Sequence, residues 1–138
     1  MNEPKMKLHH IGIVVPKIQD SIIELERFPF VESVSEILKI SSQKVNVCFL
    51  KIGQPFIELI EPISDDSPVS NFLKNQGGVH HLCFEVDNLV EAIKDYEEMG
   101  ARLIVKPVKG FEGRQTAFIF LNTKKTNLNL IELAEKND

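Results

Sequence analysis

The feature that most constrains this chain is an internal duplication. The segment HHIGIVV at 9–15 resembles HHLCFEV at 80–86, and FIELIE at 56–61 resembles LIELAE at 130–135. Each His-His run precedes apolar residues with helical spacing and then strand-like segments. Only two copies fit within 138 residues, whereas solenoids are built from at least three shorter repeats. The sequence therefore predicts one domain, residues 1–138, built from two similar halves.

The order of elements within each half predicts the fold class. Strands are predicted at 8–15, 34–40, 44–52 and 55–61, and again at 79–86, 102–105, 116–121 and 129–134. The apolar residues that share one helical face are Ile18, Ile22, Leu25 and Phe28 in the first half, and Leu89, Ala92, Ile93 and Tyr96 in the second. We expect an α+β fold of two tandem βαβββ modules, about 7–62 and 79–135, whose curled mixed sheet surrounds a cleft.

The connector between the modules, 63–78, carries its own helix signals. Ser67-Pro68 is typical of a helix cap followed by a proline in the first turn. We expect a short helix from there to about Asn75, ended by Gly77-Gly78. Gly100 is predicted to end the helix of the second module in the same way.

Charge and composition limit the partners of the chain. Lys and Arg number 16 and Asp and Glu number 20, for a formal charge of −4, which provides no electrostatic footprint for nucleic acid. No apolar run approaches the ~20 residues of a membrane helix, and the start of the chain lacks a signal-peptide core. Cys48 and Cys83 lie in apolar runs, which favours reduced core residues in a cytoplasmic protein over a disulfide. We expect a small-molecule substrate rather than a nucleic acid or membrane partner.

One His and one Glu recur in each half and form the candidate site. Alternation places His10 on one face of the first strand and His81 on the same face of its counterpart. Glu58 and Glu132 each lie in the middle of an apolar strand, where an ionised carboxylate is costly unless it is paired or binds a cation. If a pseudo-twofold axis relates the halves, these four side chains meet. Two imidazoles and two carboxylates then form a site for a divalent metal with positions open to water or substrate.

Simpler explanations exist for each of these residues taken alone. A His doublet can be a surface pair at the start of a strand, and a strand glutamate can face solvent in a half-exposed sheet. The repetition of both residue types at matching positions favours the metal site. His9 and His80 should point away from it. Glu85 shares the face of His81 but has no acidic counterpart in the first half, so we expect it at most to support the ligands and not to be one of them.

The same segments resemble the vicinal oxygen chelate superfamily, also called the glyoxalase/bleomycin-resistance/dioxygenase superfamily. Within it the chain is most similar to the methylmalonyl-CoA epimerase family, and the resemblance spans nearly the whole sequence. The carrying motifs are HIGIVV at 10–15, FIELIEP at 56–62, DSPVSNFL at 66–73, VHHLCFEVD at 79–87, GFEG at 110–113, AFIFL at 117–121 and LIEL at 130–133. The connector motif DSP…FL before His-His is more specific to the epimerases than the metal pattern.

The resemblance implies a metal centre and an enzyme. His10, Glu58, His81 and Glu132 match the metal ligands of the superfamily, and the metal would be a divalent ion such as Co, Ni, Zn, Mn or Fe. Glu132 would double as an acid/base, with Glu58 as the second catalytic carboxylate. The implied reaction is proton abstraction next to a metal-chelated carbonyl, for example of an acyl thioester such as methylmalonyl-CoA. Members that resemble this chain commonly form homodimers.

One departure from the epimerase pattern leaves the reaction open. The epimerases carry a second catalytic glutamate just before a Gln-x-Val, and here that place holds Ser42. A serine is not a useful base, so we expect weak methylmalonyl-CoA epimerase activity unless Glu58 or Glu36 serves instead. A glyoxalase I-like lyase acting on a hemithioacetal needs only Glu58 and Glu132. A non-catalytic small-molecule-binding member of the superfamily is a third possibility.

Overall fold

The computed structural model describes residues 6–137 of the chain. These residues form nine strands and three α-helices. By their internal packing these residues divide into two compact units, one of residues 10–80 and the other of residues 6–9 together with 81–137. That the two form a single domain stays a prediction. The expectation about the start of the chain falls partly on residues outside the described range.

The unit of residues 10–80 contains a mixed sheet with the strand order β2-β4-β5-β1, and β3 also pairs with β4. β1 and β5 run parallel, and the remaining pairs are antiparallel. The elements are β1 (Lys7–Val14), α1 (Ile18–Leu25), β2 (Ser33–Val34), β3 (Leu38–Ile40), β4 (Val45–Lys51), β5 (Phe56–Pro62) and α2 (Ser70–Asn75).

Both faces of this sheet are buried because its strands alternate between two apolar clusters. Leu50 and Leu59 pack with Ile18 of α1 on one face. Val47 and Ile60 pack on the other face, against Val69 and the first turn of α2, in a second cluster. The side chains of His10 and Glu58 share this second face, because they lie an even number of residues from Val14 and Ile60.

The other unit repeats the plan of parallel pairing followed by antiparallel strands. Its sheet has the order β6-β9-β8-β7, and β6 and β9 are parallel. The elements are β6 (Gly78–Val86), α3 (Leu89–Glu98), β7 (Arg102–Lys109), β8 (Gln115–Phe120) and β9 (Leu130–Glu135). α3 packs Leu89 and Ile93 against Ile131 and Leu133, so Glu132 lies on the sheet face away from α3.

The α+β class and the strand-helix-strands order of both halves are confirmed. The predicted strand 34–40 is wrong in detail, because it divides into β2 and β3. Val34 pairs with Leu50 and Leu38 with Val47, so this side of the pairing carries one extra residue, as in a β-bulge. At the break the Ser35 hydroxyl accepts a hydrogen bond from the amide of Phe49 at 2.8 Å.

Two expectations about helices also need correction. The sequence predicts Phe28 on the face of α1, but the helix ends at Leu25 and Phe28 is 41% exposed. Pro29 explains this, because its ring would clash with the Leu25 carbonyl in a longer helix. Ser67 does not cap α2, which begins at Ser70. Its hydroxyl accepts a hydrogen bond from the amide of Val69, in the turn before the helix, at 3.5 Å and donates to the carbonyl of Gln43 at 3.2 Å.

The other termini and the cysteines agree with the sequence. Gly77 and Gly100 adopt positive φ angles at the ends of α2 and α3, and the face of α3 carries the four expected residues. Cys48 and Cys83 are buried thiols. Within the described part of the chain, none of the helices combines the length and apolarity that a membrane crossing needs.

Candidate functional site

In the unit of residues 10–80 the structure brings His10 and Glu58 together. They lie on the parallel strands β1 and β5, where Glu58 is directly beside Gly12, two residues beyond His10. The Nε2 atom of His10 is 3.2 Å from Oε1 of Glu58, and the two side chains are 0% and 5% exposed. Phe49, opposite Glu58 on β4, packs edge-on against the His10 ring at 5.3 Å.

In the other unit the same arrangement is built from His81 and Glu132. On the parallel strands β6 and β9, Glu132 is directly beside Cys83, again two residues beyond the histidine. Nε2 of His81 is 3.1 Å from Oε1 of Glu132, and both side chains are buried. Phe118, opposite Glu132 on β8, packs edge-on against the His81 ring at 5.3 Å.

The two His-Glu pairs are thus equivalent in register, distance, burial and aromatic neighbour. The histidines are 71 residues apart (10 to 81) and the glutamates 74 (58 to 132). The difference falls in the connections between strands, so the register of the parallel strands is unaffected. The repeated motifs predict all four of these residues but not Phe49 and Phe118. The apolar strand preceding each Glu strand contained them, and extending the repeat comparison to that strand would have found them.

The geometry of each pair is compatible with metal binding. Each residue offers one ligand atom, and a buried carboxylate requires a compensating partner. Two donor atoms that each lie about 2.1 Å from one divalent ion, at right angles, are about 3 Å apart. The observed 3.2 Å and 3.1 Å therefore fit two adjacent ligands of one ion, as they also fit an N–H···O hydrogen bond within each pair.

A second carboxylate in each unit, three residues after the first, anchors a helix. Glu61 Oε1 accepts a hydrogen bond from the amide of Ile18, the first residue of α1, at 2.8 Å. Glu135 Oε2 accepts one from the amide of Leu89, the first residue of α3, at 2.9 Å. The first amides of a helix have no acceptor within the helix, and they lie at the positive end of the helix dipole, so a carboxylate is a favourable partner for them. Each parallel strand thus supplies one Glu to the His pair and one to the helix.

Ser42, at the place of the second epimerase glutamate, is exposed in the 3₁₀ turn Ser41–Gln43. The residue after this turn, Lys44, forms an ion pair with Asp66 of the connector at 2.5 Å. Hydrogen bonds from Lys44 and Ser64 hold the pKa of Asp66 below its usual value. Glu36, the alternative base, is exposed between β2 and β3.

The two histidines excluded from the site pack on aromatic rings. His9 lies against Phe111 at 4.9 Å, and His80 lies edge-on to Phe72 at 4.9 Å. Neither is part of the His-Glu pairs, as the sequence predicted.

Glu85 holds an arginine that sequence analysis missed. Nη1 of Arg114 donates to Oε2 of Glu85 at 2.5 Å. Burial alone would raise the pKa of Glu85, but the hydrogen bond and charge of Arg114, with smaller contributions from His9 and Lys7, lower it overall. Glu85 is therefore negatively charged and forms an ion pair with Arg114. The only sequence signal for this pair was the position of Glu85 on the His81 face.

With this fold and these pairs, the class of protein is defined: the chain belongs to the Glyoxalase/Bleomycin resistance protein/Dioxygenase superfamily, whose family model matches residues 9–118. Its curated relatives include the mitochondrial methylmalonyl-CoA epimerase of Dictyostelium discoideum, 37% identical over 133 residues, which are 94% of this chain and 78% of that protein. The resemblance found in the sequence is confirmed.

Solved structures agree with this assignment. A hypothetical protein from Bacillus halodurans C-125 superposes with a TM-score of 0.87 at 33% identity, covering 98% of this chain and 97% of that one. A single-residue variant of Streptomyces coelicolor methylmalonyl-CoA epimerase, in complex with 2-nitronate-propionyl-CoA, superposes with a TM-score of 0.82 at 26% identity, covering 94% of both chains.

Proposed function

We propose that this protein is a metal-dependent isomerase of the epimerase type, which removes a proton next to the carbonyl of an acyl thioester. His10, Glu58, His81 and Glu132 would hold one divalent ion. The observation that carries the proposal is the equivalence of the two buried His-Glu pairs, which the duplication produces twice with the same register. The epimerase names of the relatives support the reaction class.

The donor set fits a divalent transition metal. Two imidazole nitrogens and two carboxylate oxygens suit Zn, Co, Ni, Mn or Fe, and such sites accept several of these ions. The burial of all four residues is consistent with ligands whose charge is compensated by a cation. When bound, the ion would supply Lewis-acid polarisation of a substrate carbonyl, which acidifies the neighbouring C–H bond.

The chain's own carboxylates would move the proton. Glu132 is assigned the base, because a carboxylate within hydrogen-bond reach of an acidified C–H can remove its proton. Glu58, in an equivalent environment in the other half, would serve as the second acid/base. The apolar and aromatic neighbours Phe49 and Phe118 would limit the access of water to the two histidines.

A metal-content experiment tests the ligand set. Protein purified without chelator should hold about one divalent ion per chain, and His81→Ala should lose most of it. His80→Ala is the matched control, because it removes the adjacent histidine, which packs on Phe72. Metal–ligand distances of about 2.0–2.3 Å are expected in a metal-loaded crystal. Unchanged stoichiometry in His81→Ala would exclude this residue as a ligand.

A glyoxalase I-like lyase is the second candidate. The observation that favours it is again the equivalence of Glu58 and Glu132, because two matched carboxylates suffice for proton transfer on a hemithioacetal without a base at position 42. The two functions separate in one experiment. Metal-loaded protein is incubated either with a methylmalonyl thioester in deuterated water or with the hemithioacetal of glutathione and methylglyoxal. Deuterium uptake at the α-carbon favours the first, and formation of the lactoyl thioester favours the second.

Homodimer formation and a cytoplasmic location complete the proposal. Both come from the family resemblance and the cysteine content rather than from contacts. Sedimentation at micromolar concentration tests the dimer, and a single monomeric species there would exclude it. Fractionation of the native cells tests the compartment.

A further inference from the structure

Arg114 is a nearly buried cation that the proposed reaction does not yet use. Its side chain is 10% exposed and lies immediately before β8. Nη1 donates to Glu85 at 2.5 Å, while Nε and Nη2 lie 3.0 Å from Oε1 of Glu112. The guanidinium carbon lies 5.2 Å from the centre of the Phe111 ring. Two carboxylates and one aromatic ring thus fix its position.

This cation lies on the same sheet face as the His81–Glu132 pair. Glu85 alternates with Cys83 and His81 along β6, so all three side chains share one face. Cys83 pairs with Glu132 and Glu85 with Ala134. Two residues along a strand span about 7 Å, so Glu85 and the guanidinium it holds lie one row beyond Glu132.

The two carboxylates that contact Arg114 differ in kind. Glu85 is part of β6 and its side chain is 17% exposed, whereas Glu112 is 50% exposed. Glu112 also has a φ of +55°, a backbone conformation that a non-glycine residue rarely adopts without cause. Its neighbours are fixed: Phe111 is buried, and a Cβ at Gly110 would lie 2.7 Å from the Thr116 hydroxyl. Glu85 therefore orients the arginine, and Glu112 is the replaceable partner.

We propose, building on the proposed function, that Arg114 binds a free carboxylate of the substrate and that Glu112 occupies this position when substrate is absent. Arg114 would thereby make the site select an acyl thioester that carries a carboxylate on the carbon next to its carbonyl, which is the chemistry that the relatives' names already indicate. The guanidinium is suited to this role because its planar fork matches a carboxylate. With the carboxylate held one row from Glu132, the carbon between the two carbonyl groups would direct its C–H bond towards that base.

Paired thioesters test this assignment. Binding of methylmalonyl-CoA and propionyl-CoA, which differ only in the carboxylate, is measured by calorimetry on metal-loaded wild type, Arg114→Gln and Glu112→Gln. Wild type should prefer the carboxylated thioester by about 10–100-fold, the usual value of a charge-assisted pair. Arg114→Gln should bring the preference close to one, and Glu112→Gln should increase it several-fold because a competitor is removed.

Two further variants separate recognition from folding. Arg114→Gln leaves the largely buried Glu85 without its cation, so Arg114→Gln/Glu85→Gln is measured as well and should show the same loss of preference. Lys106→Gln, which removes an exposed cation of β7, is the matched control and should retain the wild-type preference.

The results distinguish this inference from the proposed function. An unchanged preference in both Arg114 variants overturns the role of Arg114 and leaves the proposed function intact. Equal weakening of both thioesters also overturns it, because Arg114 would then serve the CoA phosphates or the fold. If metal-loaded wild type binds neither thioester, the acyl-thioester function and the role of Arg114 both fail.

Discussion

The carboxylates that anchor the two helices allow a prediction with an internal replicate. Glu61→Ala removes the acceptor for the Ile18 amide at the start of α1, and Glu135→Ala removes the acceptor for the Leu89 amide at the start of α3. A helix-terminal side chain of this type contributes about 0.5–2 kcal/mol, and both glutamates are partly exposed, which reduces the charge contribution. We expect each substitution to lower the free energy of unfolding by about 1 kcal/mol.

The structure also predicts a difference between the two sites. Glu61 accepts a second hydrogen bond, from Nδ2 of Asn46 at 3.1 Å, and Glu61→Ala leaves this part-buried amide without that acceptor. The loss at Glu61 should therefore exceed the loss at Glu135 by about 0.5–1 kcal/mol. Gln at either position keeps an acceptor oxygen and should restore part of the stability.

Urea unfolding of the metal-free protein, followed by circular dichroism, measures both effects. Glu24→Ala and Glu97→Ala are matched controls, because these glutamates are exposed on the same two helices and away from their first residues. The controls should change the free energy by less than about 0.5 kcal/mol. Metal content should stay at the wild-type level in all variants, because the His-Glu pairs depend on the strands. The reasoning fails if Glu61→Ala and Glu135→Ala cost no more than the controls.

Three further predictions concern the site and its surroundings. Phe118→Leu should lower metal affinity about tenfold, as expected when a neighbour that fixes a ligating His is lost. Phe120→Leu is the control, and equal Co²⁺ affinities of Phe118→Leu and this control, measured by titration, would contradict the prediction. Wild type should exchange the α-proton of methylmalonyl-CoA faster than it racemises this substrate, because Glu58 replaces the glutamate that position 42 lacks, and Ser42→Glu should raise racemisation towards the ~10²–10⁴-fold that positioned acid/base help provides; wild-type racemisation as fast as exchange in a chiral assay would contradict it. The pKa of Glu85 is lowered because Arg114 outweighs burial, so Glu85→Gln should destabilise the protein at pH 7. The difference should shrink as the pH falls below about 4.3, the value of a free Glu, and disappear below the lower pKa that Glu85 has in the folded protein; a difference in urea unfolding that persists in strong acid would contradict it.

Local periodicity was sufficient for most of the elements. The strands of both modules follow the alternation of apolar residues, and the apolar face of α3 follows helical spacing. Both patterns are visible in short stretches of the sequence. The failures fall where a neighbouring strand or loop competes with local preference. The pattern of residues 34–40 predicts one strand. In the structure the Ser35 hydroxyl accepts a hydrogen bond from the Phe49 amide, and the pairing with β4 continues only after an extra residue. Ser67 resembles a helix cap, yet its hydroxyl bonds to the Val69 amide in the turn before α2 and to the Gln43 carbonyl of the 3₁₀ turn.

The candidate ligands could be predicted because duplication repeats a chemical pattern at a distance. A single His or Glu carries little information, whereas His10 and His81 with Glu58 and Glu132 form the same pattern twice. Their pairing at 3.2 Å and 3.1 Å follows from the parallel register. That they share one metal ion stays a prediction, which the His81→Ala measurement decides.

The sequence by itself determined the two-module α+β plan, the four ligand candidates and the family. These rest on order and periodicity, which are properties of the linear chain. Only the tertiary structure decided which groups contact the remaining polar side chains and helix ends: Glu61 and Glu135 bind the first amides of two helices, Phe49 and Phe118 pack on the imidazoles, and Glu85 pairs with Arg114. Such partners lie on strands and loops whose separation along the chain follows no period. Burial makes them necessary, because an enclosed polar group must find a partner wherever the fold provides one.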